Sequence, residues 1–187
     1  ITGNADRFIR NWYEICYKKI GFLMNDNKES IQSKKKWFPL QNGGAYRNWY
    51  GNLECVVNWE NDGYDMKYDN FINGRIKSHN YNGEFAFKKS FTWTTISSSK
   101  FSCRYSGSGF IFDTAGPFGH PLVENNIFQI LAFLNSKVAF YYLKIINPTI
   151  NFPPGYVEKL PFDLENIQKD IRYRINALAQ SCIKLSK

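Results

Sequence analysis

Basic residues set among aromatics and small hydroxyls are the first chemistry this sequence offers. Between Arg75 and Phe112 stand Arg75, Lys77, Lys88, Lys89, Lys100 and Arg104, with one acidic residue, Glu84, in the same stretch. Ser97, Ser98, Ser99 and Ser102 lie among them. A second cluster, Lys34, Lys35 and Lys36, is followed by Arg47. Lysine and arginine neutralise phosphates, and serine or threonine hydroxyls donate to phosphate oxygens or base edges. These ten basic residues are the candidate contacts to DNA. The whole chain carries 24 Lys and Arg against 16 Asp and Glu, a formal net charge of +8. That excess favours a polyanionic partner, nucleic acid above others.

Other chemistry is sought and mostly excluded. The sequence holds no GxGxxG and no GxxxxGK[ST] phosphate loop, and Gly107-Ser108-Gly109 lacks the spacing of a serine nucleophile elbow. Glu60 and Asp62 could hold a metal, but they sit in an Asn/Asp/Gly cluster of the kind that serves turn geometry. Cys16, Cys55, Cys103 and Cys182 form no CxxC pair, and neither His79 nor His120 is near one in sequence. This spacing argues against zinc and for reduced core thiols in a cytoplasmic protein. Enzymes that methylate amino groups of DNA bases use an Asn/Asp-Pro-Pro-aromatic motif to grip the flipped base. Here Asn151-Phe152-Pro153-Pro154-Gly155-Tyr156 interrupts that order at Phe152 and Gly155, so the segment reads as a connector. No catalytic residue, metal site or cofactor site is expected in the chain itself.

The elements that must position the basic residues follow from periodicity and punctuation. Residues 5–20 place Phe8, Ile9, Trp12, Ile15 and Ile20 at mostly helical spacing. Residues 37–60 read as strands with turns at Asn42-Gly43-Gly44 and Tyr50-Gly51-Asn52, closed by Asn61-Asp62-Gly63. Residues 64–82 read as a loop with a basic tip at Arg75-Ile76-Lys77. Residues 85–112 alternate apolar and polar side chains as strands do. A long helix is expected from Asn125 to Ile146, ended by Asn147-Pro148, and a second helix from Leu164 to Leu185. Strands first and helices after predict an α+β fold with a mixed, mostly antiparallel sheet. The expected division is a recognition domain over 1–162 and a C-terminal helix over 163–187. The stretch Ile127–Ile146 is broken by Gln129, Asn135, Ser136, Lys137 and Lys144, too polar to span a bilayer.

In order and spacing the sequence resembles the C-terminal region of PglX-like adenine-specific DNA methyltransferases of BREX phage-defence systems, which are related to fused type II restriction-modification enzymes. The blocks that carry the likeness are Arg10-Asn11-Trp12-Tyr13-Glu14, Lys36-Trp37-Phe38-Pro39, Arg47-Asn48-Trp49-Tyr50-Gly51-Asn52, Val57-Asn58-Trp59-Glu60-Asn61-Asp62-Gly63, Gly109-Phe110-Ile111-Phe112-Asp113 and Phe133-Leu134-Asn135-Ser136-Lys137-Val138. The last of these also resembles the end of target-recognition domains in type I restriction specificity subunits. The resemblance implies a domain that reads duplex DNA beside a methyltransferase domain of the same parent chain. That domain would hold S-adenosylmethionine and lie upstream, and other subunits of the defence system are further expected partners. A membrane is not an expected partner. Two rivals remain: a protein-interaction domain that holds partner subunits, and a metal-dependent nuclease using Glu60, Asp62 or Asp113.

Overall fold

Apolar residues collect in two separate cores, and the chain divides accordingly into two compact units. The computed structural model describes residues 5–68 and 82–187. The first unit is Ile1–Asn42, Leu53–Lys89 and Gly107–Thr114, and the second is Gly43–Asn52, Ser90–Ser106 and Ala115–Lys187. In chain order the elements begin with α1 (Ala5–Phe8), β1 (Ile9–Asn11), α2 (Asn27–Gln32), β2 (Trp37–Gln41), β3 (Cys55–Asn58) and α3 (Glu60–Lys67). After them come β4 (Ser90–Trp93), β5 (Cys103–Ser106), β6 (Ile111–Phe112) and β7 (Phe118–Gly119). The helices α4 (Ile127–Leu134), α5 (Lys137–Ile146), α6 (Pro154–Val157) and α7 (Lys169–Leu185) end the chain.

The first unit holds a sheet in the order β1-β3-β2-β6, antiparallel except for the parallel β2–β6 pair. Phe38 and Leu40 share one face of β2, since side chains alternate along a strand. They join Val57, Ile111, Phe8, Trp59, Met66 and Phe87 in the core. Trp59 closes this core, its indole N–H donating to Asn27 Oδ1 at 3.1 Å. Asn61, Asp62 and Gly63 follow with φ of 50°, 60° and 70°, so α3 opens on a left-handed turn. Only Asn, Asp and Gly visit that region readily. Gly63 is required for a second reason: a Cβ there would stand 2.8 Å from the Trp59 ring.

The second unit holds the antiparallel sheet β5-β4-β7 with α4, α5 and α7. Its core is aromatic. Rings run from Phe91 to Trp93, Phe101 and Phe152 at centroid spacings of 6.2, 6.1 and 5.4 Å. Such pairs add to the area they bury. The Trp93 indole donates to the Phe152 carbonyl at 2.8 Å. Helix α7 packs along α4 and contributes Ile183 to this core, so residues 163–187 belong to the body of the second unit.

The α+β class and the mixed, mostly antiparallel sheets are as expected; several elements are not. Residues 5–20 give a single turn of helix, a short strand and 3-10 turns, because Ile9, Arg10 and Asn11 pair with Val57, Val56 and Cys55. The Asn125–Ile146 helix is two helices. Asn135 turns its amide onto β5, accepting from Cys103 N–H at 2.9 Å and donating to Cys103 O at 2.8 Å, and Ser136 caps α5. Phe87, expected in a strand, has φ 69° and is clamped by bonds to Phe110 and Gly109. Residues 64–67, expected in a loop, lie in α3. Among the described residues no helix is long and apolar enough to cross a membrane.

Candidate nucleic-acid interface

The basic residues fall into two sets, one in each unit. In the first unit the turn after α2 leads Lys34, Lys35 and Lys36 into β2. A 3-10 turn, Tyr17–Lys19, lies alongside. Lys36 N–H donates to Lys19 O at 3.3 Å, Gly21 N–H donates to Trp37 O at 2.8 Å, and Ile20 bridges Trp37. The Lys35 ammonium donates to Lys18 O at 2.6 Å. The fold thus gathers five lysines, Lys18, Lys19, Lys34, Lys35 and Lys36, from two stretches of chain. Lys18, Lys19 and Lys34 are exposed and the other two half-buried. Glu60 faces Lys36 at 3.5 Å. Like charges held together this way raise the local positive potential, which is what a phosphate backbone meets. Lys18 and Lys19 are absent from the residues singled out in the sequence. Their adjacency was the available signal, masked by the expectation of a helix there.

Lys88 and Lys89 are exposed at the end of a first-unit segment, with the Lys88 ammonium 5.4 Å over the Phe85 ring. Arg75 and Lys77 lie outside the described residues.

In the second unit Arg47 is exposed on the loop Gly43–Asn52 and Lys100 on the loop after β4. The serine loop is self-closed, Ser97 Oγ donating to Lys100 O and accepting from Ser99 N–H, each at 3.3 Å. Arg104 corrects the sequence expectation. It is 0% exposed and cannot reach DNA in this fold. It lies on β5 between β4 and the Gly43–Asn52 loop, bridged to Trp49, with Nη1 donating to Thr94 Oγ1 at 3.3 Å. β5 is thus flanked along both edges, by β4 and by the bridge at Trp49.

Two of the carboxylates weighed for metal chemistry, Glu60 and Asp62, are otherwise engaged. Glu60 pairs with Lys36, and Asp62 Oδ2 receives the Lys67 ammonium at 2.6 Å, that ammonium lying 5.2 Å over Trp59. No group of three His, Cys, Asp or Glu residues is arranged to hold a metal among the described residues. All four cysteines are free thiols. Cys103 is buried, and burial pushes its thiol up to about 12. Cys55 is half-buried, its pKa raised by desolvation first and by Glu54, Asp113 and Glu14 after it. Cys16 is exposed, which departs from the expectation of core thiols. A first-unit cavity of about 340 Å³ is lined by Asp6, Arg10, Asn11, Glu14, Asn42 and Cys55 among others. Arg10 turns back onto the carbonyls of Asp6 and Ile9, and Glu14 onto Asn11 N–H, so these groups serve the fold.

The segment nearest to a base-gripping motif spends its aromatic in the core, with Phe152 1% exposed, its N–H bonded to Thr95 O and its carbonyl to Trp93. Pro154 starts α6 instead of flanking a substrate.

With this geometry in hand, comparison with characterised proteins points to one class, the adenine-specific methyltransferases. The chain is 43% identical over 161 residues to adenine-specific methyltransferase PglX of Lacticaseibacillus casei (strain Zhang), a match covering 86% of this chain and 13% of that protein. It is 35% identical over 190 residues to adenine-specific methyltransferase BrxX of Escherichia coli O9:H4 (strain HS), a match covering all of this chain and 14% of that protein. The chain therefore spans only about an eighth to a seventh of the length of these relatives. No family model matches the chain.

Proposed function

We propose that this chain is a duplex-DNA recognition module of an adenine-specific DNA methyltransferase of the BREX phage-defence type. The observation that carries the proposal is the cluster of Lys18, Lys19, Lys34, Lys35 and Lys36, assembled from two stretches of chain beside one paired carboxylate. In this reading the lysines hold the phosphate backbone and fix the position of the module, while polar side chains on loops read base edges. Methyl transfer from S-adenosylmethionine belongs to the parent enzyme outside this chain.

The test is fluorescence anisotropy of the 187-residue chain with random duplex DNA across a salt series. Binding should fall linearly on a log–log plot, with a slope of about −0.9 for each phosphate neutralised. Absence of binding at low salt removes the proposal and leaves a second reading, a domain that holds partner subunits. One observation favours that second reading. Val138, Tyr141, Tyr142 and Ile145 stand exposed at i, i+3, i+4 and i+7 on α5, an apolar stripe of the kind that packs against another helix. Salt-insensitive association of the chain with the remainder of the methyltransferase, lost in Tyr141→Ser with Ile145→Ser, would support it.

A further inference from the structure

The loop Gly43–Asn52 is built differently from every other basic segment described above. Its ends are fixed by glycines in conformations other residues avoid. Gly43 and Gly44 have φ of 74° and 106°, and Gly51 has φ of 124°. A Cβ on Gly43 would stand 2.5 Å from Ala115 O, so the entry to the loop lies directly against neighbouring backbone. Inside the loop, buried Asn52 donates from Nδ2 to Ala45 O at 2.9 Å, and Thr94 Oγ1 donates to Gly44 O at 3.2 Å. Trp49, held at φ 69°, is tied on both sides to β5: its N–H donates to Cys103 O at 3.0 Å and its carbonyl accepts from Tyr105 N–H at 2.8 Å. A tryptophan at positive φ persists only where its surroundings over-determine it.

This framework presents three consecutive side chains, Tyr46, Arg47 and Asn48. Tyr46 and Arg47 are exposed, and Asn48 is half-buried with its Nδ2 on the Tyr46 hydroxyl at 3.0 Å. The Arg47 stem lies across Gly51, where a Cβ would meet Arg47 Cδ at 2.5 Å. An exposed arginine on a flexible loop suits a phosphate, which accepts from many directions. An arginine whose stem is seated on a fixed loop suits a planar acceptor pair, because two parallel N–H···O/N bonds need orientation as well as charge. In the major groove that acceptor pair is guanine O6 and N7.

We propose that Arg47 is a base-reading residue that specifies a guanine, and that buried Arg104 is a positioning residue for its loop. Arg104 donates to Thr94 Oγ1, which in turn donates to Gly44 O, and the Trp49 bridge sits on Arg104 itself. The proposal rests on the duplex-DNA reading above and assigns to one loop what the lysine cluster does not supply, discrimination between sequences.

The experiment is selection of the intact 187-residue chain on a randomised duplex library, followed by anisotropy on the selected and random duplexes, for wild type, Arg47→Ala and Arg47→Lys. Wild type should select a site containing a guanine. Both variants should lose preference at one guanine, with about 5- to 150-fold weaker binding to the selected duplex. Arg47→Lys should keep the salt slope of wild type, since it keeps the charge. If Arg47→Ala retains full preference, or weakens all duplexes equally and lowers the salt slope by about one, Arg47 is a phosphate contact and the proposal is wrong. Salt-sensitive wild-type binding without any selected site also overturns it, leaving the DNA reading intact. Absence of salt-sensitive binding overturns both. Circular dichroism of the variants separates misfolding from altered readout, and exposed Arg47 should leave the spectrum unchanged.

Discussion

In the first unit thirteen Lys and Arg stand against eleven Asp and Glu, and in the second eleven stand against five. The excess charge of the chain thus belongs largely to the second unit, yet the first gathers five lysines around one short stretch of backbone. The second unit spreads its cations along α5, α7 and separate loops: Lys137, Lys144, Lys169, Arg174, Lys184, Arg47 and Lys100. Salt screens separated surface charges beyond about 8–10 Å, so a dispersed excess acts mainly as a weak long-range field and a dense cluster as a contact. Net charge therefore points to the class of partner, and local density to the place of contact.

That contrast can be broken at several points. The largest effect tests whether the two cores are separate. Trp93→Ala should destabilise the second unit by about 3–5 kcal/mol while amide protection in β2 and β3 holds, and Trp59→Ala should do the reverse. Hydrogen exchange reads both, and loss of protection throughout from either substitution would dissolve the division.

Alkaline pH should separate the units next. The Cys103 thiol titrates near 9.0 when unfolded and near 12 in the fold. The folded state keeps its proton longer, so this contribution is complete below pH 9 and drains away as pH rises toward 12. The second unit should lose stability across that window, and Cys103→Ala should lack that increment in denaturation curves taken at pH 8 and pH 11. In native protein a thiol reagent should label exposed Cys16 and spare Cys103.

Charge removal gives a smaller and sharper contrast. Lys34→Ala with Lys35→Ala should reduce the salt slope of DNA binding by about two, whereas Lys169→Ala with Arg174→Ala on α7 should reduce it by less than one. Equal changes would mean that density carries no special weight. The least effect is expected at Glu60. Glu60→Gln releases Lys36 from its half-exposed ion pair, costs under about 1 kcal/mol in stability and tightens DNA binding slightly. Weaker binding by that variant would take Lys36 out of the interface.

Much of this was legible where local chemistry decides structure. Asn61-Asp62-Gly63 announces a turn because those types tolerate positive φ, and the structure adopts it at all three positions. The fold class followed from the order of apolar alternation and helical stripes. The misses come from contacts between distant residues. The stripe from Ile127 to Ile145 continues through Asn135, yet the helix breaks there, where the Asn135 amide makes two bonds to Cys103 and Ser136 caps α5. Arg104 reads as a surface cation beside Cys103 and Tyr105 until the Gly43–Asn52 loop covers it. Lys18 and Lys19 gain meaning only when Lys35 reaches back to them across seventeen residues. No periodicity encodes these three arrangements, because each depends on which strands pair.

The chain enters and leaves each unit repeatedly, and each unit is assembled from three stretches. No single cut can therefore release either one whole. Truncation from the N-terminus strips the first unit alone as far as Asn42, truncation from the C-terminus strips the second alone back to Ala115, and a crossover between two related genes inside this stretch would join half-cores of different parentage. Exchange of this stretch with a relative should therefore preserve both cores only when the stretch moves whole, as a cassette, or when the changes are confined to side chains on loops such as Gly43–Asn52.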